Sequence, residues 1–180
     1  MPGVWVFPGG AVDEADGEDL DSEQAHRSCA ARELSEEAGI AVDPESLVAY
    51  SRWITPKVVP IRFDTRFYLA RHSDDTDPEV DGEEVIDWAW LSPASALARH
   101  SGGELDLVFP TIKHLESLTG YTTVDEAFTA ASETEVRAVE PRLEITDDGS
   151  DARLSFDDAD SDQPGTHISD VDSKPPPGEA

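Results

Sequence analysis

Three glutamates, Glu33, Glu36 and Glu37, fall within five residues of one another in the stretch "RELSEEAGI". On a helix turning about 100° per residue, Glu33 and Glu37 point about 40° apart and Glu36 lies within about 100° of Glu33. Leu34, Ala30, Ala31 and Ala38 fall on a different arc, which leaves one apolar and one carboxylate face. Carboxylates at this spacing repel by a few tenths of a kcal/mol per pair, and the macrodipole disfavours them near a helix C-terminus. A hard divalent cation such as Mg²⁺ reverses the sign, because it requires oxygen ligands. The competing interpretation is a solvated acidic face in a chain already rich in acid.

The elements that must position these carboxylates are legible around them. From Glu23 to Ala38 strong helix formers run without Pro or Gly, with Asp21 or Ser22 available as N-cap and Gly39 as a left-handed stop. Upstream, "VWVF" (residues 4–7) predicts a short buried strand ending in the glycine turn "PGG", followed by the acidic loop "AVDEADGEDLDSEQ". Downstream, "SLVAYSRWIT", "RFDTRFYLAR" and "EVIDWAWLS" carry the aromatic and β-branched content of strands. "SPASALARH", "PTIKHLESLTG" and "TVDEAFTAAS" predict two or three closing helices. "VRAVEPRLEIT" and "ARLSF" suggest a late strand pair, with Pro141 confining the first to an edge. Residues 1–145 thus form the expected domain. Residues 146–180 form an acidic tail, expected to be largely disordered, with almost no apolar content from Asp157 onward.

Together, "PGG" and "RELSEEAGI" resemble the signature of the Nudix hydrolases: Gly, five residues, Glu, seven residues, then Arg-Glu-apolar-x-Glu-Glu-x-Gly-apolar. Arg32, Glu33, Leu34, Glu36, Glu37, Gly39 and Ile40 match every specified position of the second half. The first half departs from it. Gly10 to Arg32 spans 22 positions instead of fourteen, and Gln24 stands eight before Arg32 where the pattern has Glu. Asp16, Glu18 or Glu23 could stand in for that acid. Longer boxes of this kind resemble coenzyme A diphosphatase-type members, as do "VFPGG", "RFDTRFYLA" and "GEEVIDWAWLSPASAL".

The resemblance implies a Nudix-like α/β/α sandwich with a mixed sheet. It also implies hydrolysis, dependent on Mg²⁺ or Mn²⁺, of a diphosphate linkage in a nucleoside diphosphate derivative such as coenzyme A, ADP-ribose or a dinucleotide. A non-catalytic module of the same fold that binds a nucleotide or a protein is the alternative. Carried over by position, Glu33 and Glu37 would be the main metal ligands, Glu36 would share or bridge metals, and the Gly9 carbonyl would add an oxygen. Glu84, with Glu83 as its rival, would orient or deprotonate the attacking water, while Arg32 would hold the loop or Glu36. Arg62 and Arg66 in "IRFDTRF" could reach substrate phosphates or pair with acidic neighbours. Trp53, Trp88 and Trp90 fit core or rim positions, and His26 and Cys29 fit helix packing better than a zinc site.

Composition limits the partners. Forty Asp and Glu against 13 Lys and Arg give a formal net charge of −27, which disfavours duplex nucleic acid and anionic membranes. Ten arginines against three lysines, with Asp throughout, suggest salt adaptation, unless the acidic tail alone inflates the count. A single cysteine excludes an internal disulfide, and no signal region or long apolar run is present. The expected setting is the cytoplasm. The expected partners are a small nucleotide-type molecule and, at most, a second copy of the chain in a homodimer. The chain reaches "FPGG" within ten residues of Met1, where the family has a leading strand, so a start placed too far downstream or a truncated relative is expected.

Overall fold

In the computed structural model the described residues are 3–72, 77–80, 82, 85–145, 152–157 and 160–166. Helix α1 spans Glu23–Ala38. The Ser22 hydroxyl accepts from the Ala25 amide at 3.1 Å. Gly39, at φ 65°, ends the helix by donating to Ser35, while Ile40 donates to Leu34. Both ends are therefore fixed by local capping chemistry.

Strands β1 (Val48–Ile54) and β2 (Asp64–Leu69) pair antiparallel, and β3 (Ala138–Val139) joins β1 in parallel, giving a mixed sheet of order β2-β1-β3. Helices α2 (Pro93–Ser101), α3 (Phe109–Leu118) and α4 (Val124–Glu133) fall where the three helical segments were expected. A separate antiparallel pair, β4 (Arg142–Ile145) and β5 (Ala152–Ser155), follows Pro141, which separates it from β3 at the sheet edge. Among the described residues no helix is long and apolar enough to cross a membrane.

Side-chain alternation on β2 places helices on both faces of the sheet. The Phe67 ring lies 4.2 Å from that of His114 on α3. Arg66, one residue earlier, donates to Glu23 on α1 at 2.8 Å, and Arg27 of α1 lies over the Tyr68 ring. An α/β/α arrangement results. A bulge between Ala49 and Ser51 breaks the alternation of β1, so that Tyr50, Ser51 and Trp53 all meet α3. His114 sits at the centre of this core, 1% exposed. Its Nδ1 faces the Pro110 carbonyl at 2.6 Å and its Nε2 faces the Ser51 hydroxyl at 2.5 Å. Nδ1 therefore donates and Nε2 accepts, which is a neutral imidazole. Burial pushes its pKa down to about 4.

Three expectations need correction. Residues 4–7 do not form a buried strand: Trp5 alone bridges Leu107, and Val6 and Phe7 are exposed. The chain after Leu107 turns at once into α3, so there is no backbone along which the ladder could continue. Residues 85–91 are likewise not a strand, and Ile86 and Trp90 face solvent, Trp90 stacking on His72 instead. Part of the tail is also ordered. The Gln163 side chain accepts from the Arg137 amide and donates to the Glu135 carbonyl, and Gly165 lies against Trp53 and His114. Two polar anchors and a residue without a Cβ thus dock a segment that apolar content alone would leave unassigned.

Candidate functional site

The Pro8-Gly9-Gly10 turn lies across the C-terminal half of α1. The Gly9 amide donates to Glu37 Oε2 at 2.9 Å. The Glu33 carboxylate is packed so closely on Gly10 that a Cβ there would stand 2.3 Å from Oε1. Glycine at position 10 is thus what allows the turn to approach. The turn and the helix bring the first and last of the three glutamates to one place. Glu33 is largely covered, its side chain 13% exposed, whereas Glu36 is 60% exposed.

Arg32 ties the acidic loop to this helix. It meets Asp16 at two points, Nε to Oδ1 at 3.0 Å and Nη2 to Oδ2 at 2.9 Å, and reaches the Ala11 carbonyl at 3.2 Å. Its Nη1 donates to Glu33 at 2.8 Å and to Glu36 at 3.0 Å. The Asp16 side chain is 2% exposed, and the guanidinium holds its carboxyl below the usual carboxylate range. The same carboxylates raise the pKa of Arg32. Of the three candidates for the displaced acid, Asp16 is the one in contact with Arg32. Glu23 lies at the far end of α1, paired with Arg27 and Arg66.

Local turn chemistry explains how Asp16 gets there. The Asp13 carboxylate accepts from Ala15, the Asp16 amide donates to the Asp13 carbonyl, and Asp16 Oδ2 accepts from the Asp13 amide. Gly17 follows, with a Cβ position only 3.3 Å from that of Ala25. "DEADG" therefore carried a turn signal that could have distinguished Asp16 from its rivals. Cys29 is buried beneath the turn with its Sγ 3.8 Å from the Gly10 carbonyl, and burial pushes its thiol up to about 11. That is a packing cysteine and not a thiolate nucleophile. His26 bonds back to the Ser22 carbonyl within its own helix.

The donor set suits a hard divalent cation: three carboxylates on one helix end, two of them, Glu33 and Glu37, against a glycine turn. Among the described residues no three His, Cys, Asp or Glu side chains are already gathered around one point. Glu33 and Glu36 turn to Arg32, and Glu37 to the Gly9 amide. The fit therefore rests on donor chemistry and on the shared placement against the turn. Glu84 and Glu83 lie outside the described residues.

Arg62 and Arg66 are not brought to this turn. Arg62 donates to the Thr55 carbonyl and pairs with Glu140. Arg66 pairs with Glu23, ten residues and about 15 Å of helix before Glu33. Carboxylates nearer to each arginine in this acidic chain claim the guanidiniums first. Trp53 is core, Trp88 is half-buried and Trp90 is exposed.

Comparison with known proteins adds an independent line. The model of the NUDIX domain matches residues 1–109. "Putative nudix hydrolase 7" of Caenorhabditis elegans is 25% identical over 154 residues, covering 66% of this chain and 51% of that protein. "RNA pyrophosphohydrolase" of Dinoroseobacter shibae is 32% identical over 110 residues, covering 52% of this chain and 63% of that protein. The chain thus spans less than two thirds of either relative. A crystal structure of a NUDIX hydrolase from Alicyclobacillus acidocaldarius superposes with a TM-score of 0.62 at 26% identity, covering 71% of this chain and 81% of that one.

Proposed function

This chain belongs to the Nudix family, and from that premise we propose that it hydrolyses a diphosphate linkage in a small nucleoside diphosphate derivative. The observation that carries the proposal is the Gly9-Gly10 turn seated on Glu33 and Glu37, with Arg32 held behind them by Asp16. Mg²⁺ or Mn²⁺ would be held by Glu33, Glu36 and Glu37, with the Gly9 carbonyl as a further oxygen. Such a cation supplies neutralisation of diphosphate charge and a lowered pKa for bound water.

The chain's own residues do the rest. Arg32, anchored on Asp16, orients Glu33 and Glu36 and keeps the acidic loop against the helix. Glu84 is the proposed acceptor of the proton from the attacking water, on sequence position alone. The long box, which resembles that of coenzyme A diphosphatase-type members, supports coenzyme A, ADP-ribose or dinucleotide-like substrates. RNA, suggested by the name of the Dinoroseobacter relative, is disfavoured by a net charge of −27. A binding module without turnover is the second reading, and what supports it is the engagement of Glu33 and Glu36 by Arg32.

The test is a screen of coenzyme A, ADP-ribose, dinucleotides and nucleoside triphosphates with Mg²⁺ or Mn²⁺ in high salt, with products identified by mass. Metal-dependent cleavage of one diphosphate-linked compound is expected. Binding of these compounds with no product from any of them would favour the module.

A further inference from the structure

Strand β2 (Asp64–Leu69) lies at the edge of its sheet, with β1 as its one neighbour among the described residues. The Thr55 amide donates to the Phe63 carbonyl at 2.9 Å, which sets the phase of the ladder. Residues 63, 65 and 67 therefore face β1, and the amides and carbonyls of Asp64, Arg66 and Tyr68 point away from it. None of these outward groups has a hydrogen-bond partner among the described residues. The bulge lies in β1, so the outer edge of β2 is unbroken, with no Pro, Gly or Lys in its six residues. Such an edge is a template for another strand.

The edge is complementary to itself. Laid antiparallel about a two-fold axis at Thr65, a second β2 sets its Arg66 opposite Asp64, its Asp64 opposite Arg66 and its Phe67 opposite Phe63. This register joins outward groups to outward groups and makes about four backbone hydrogen bonds. It also keeps the layers continuous, since Arg66 faces α1 and Phe67 faces α3 in both copies. Moving the axis to Asp64 would set Asp64 against itself and Arg62 against Arg66, and moving it to Arg66 would set Arg66 against itself. Like charges directly opposite destabilise a pair of strands, so charge selects the axis at Thr65.

Two further observations favour a second copy as the occupant. Beside the edge, Phe63 is 64% exposed and Ile61 69% exposed, and this pairing covers Phe63 with Phe67 and brings Ile61 towards Leu69 of the copy. A net charge of −27 makes two copies repel, but here the arginines are already matched, Arg52 by Asp64, Arg62 by Glu140 and Arg66 by Glu23. The copies can meet at this edge with local charge balanced. We propose that β2 pairs antiparallel with β2 of a second copy about Thr65, joining the two sheets into one. The interface does not depend on the proposed hydrolysis.

Sedimentation equilibrium of the full chain in high salt, which screens the net charge, tests it. A reversible dimer of twice the 19.5 kDa chain mass is expected. Thr65 is exposed, so Thr65→Lys and Thr65→Glu should each fold, yet weaken the dimer at least tenfold by placing like charges on the axis. An equal mixture of the two should dimerise again, Lys against Glu. Thr65→Cys should give a disulfide-linked dimer on mild oxidation, because the axis puts the two Cα atoms about 4.5 Å apart, whereas wild type, with Cys29 buried, should not. That reports even if a charged variant unfolds. A monomeric wild type at high concentration, or an undiminished dimer in both charged variants, would overturn the proposal. So would a mixture of folded Lys and Glu variants that stays monomeric, or a Thr65→Cys chain that stays unlinked.

Discussion

Asp16 and Arg32 form a two-point ion pair, at 3.0 and 2.9 Å, between a carboxylate 2% exposed and a guanidinium 23% exposed. The pair joins the acidic loop to the helix that carries Glu33 and Glu36. The loop is longer than the family pattern, yet its acid still reaches the motif arginine, because a turn at Asp13–Asp16 folds the surplus back.

Replacing Asp16 with Asn should therefore cost stability and catalytic order together. Arg32 keeps two other carboxylates, so the loss falls below that for a fully buried orphan charge, at about 1–3 kcal/mol, a Tm drop of about 3–10 °C for a chain of this size. Activity should fall by about 10- to 100-fold, as for other residues that orient ligands from behind. The Asp16 carboxyl lies below its ordinary pKa when folded, so its contribution is complete above about 3.8 and is lost as pH falls through the folded value. Thermal melts of both proteins should converge at the acid end of that range.

Gly10→Ala separates position from stability. The new methyl would meet the Glu33 carboxylate, which is the mobile end of a side chain, so the helix can stay while the carboxylate moves. The expected result is a stability change under about 1 kcal/mol, as for surface changes, with activity lowered at least tenfold. Melting curves and steady-state rates on the same sample check it.

His114 makes the core sensitive to acid. Its folded pKa of about 4 lies below the unfolded value of about 6.5, so the unfolded chain takes the proton first. The stability that this neutral histidine preserves is complete above pH 6.5. It is lost as pH falls from there towards 4, at up to about 1.4 kcal/mol per unit. Denaturant melts across pH 7 to 4 should show that slope. The His114 ring resonance should stay at its neutral shift until about pH 4.

Local chemistry is what the sequence made legible. Ser22 and Gly39 cap α1 with their own atoms, so its limits could be read directly, and composition marked the segments of α2, α3 and α4 and of strands β1 and β2, though not their pairing. Contacts fixed only by the tertiary fold were not. "EVIDWAWLS" has strand composition, but its described residues 85–92 lie outside every strand. Asp16 was one of three acids until the fold selected it, and Arg62 and Arg66 found Glu140 and Glu23 before any phosphate. Gln163 docks through backbone groups of 135 and 137 that no periodicity announces.

The central claim is that the carboxylates beneath the Gly9-Gly10 turn run a metal-dependent diphosphate hydrolysis. The most direct measurement is kcat/KM for the best substrate of the screen, with Mg²⁺ or Mn²⁺, in wild type and in Glu37→Gln, a change that keeps the shape and removes the charge. A loss of at least 100-fold in the variant, with melting temperature within a few degrees, is expected. Equal rates in the two proteins, or hydrolysis undiminished by EDTA, would contradict it.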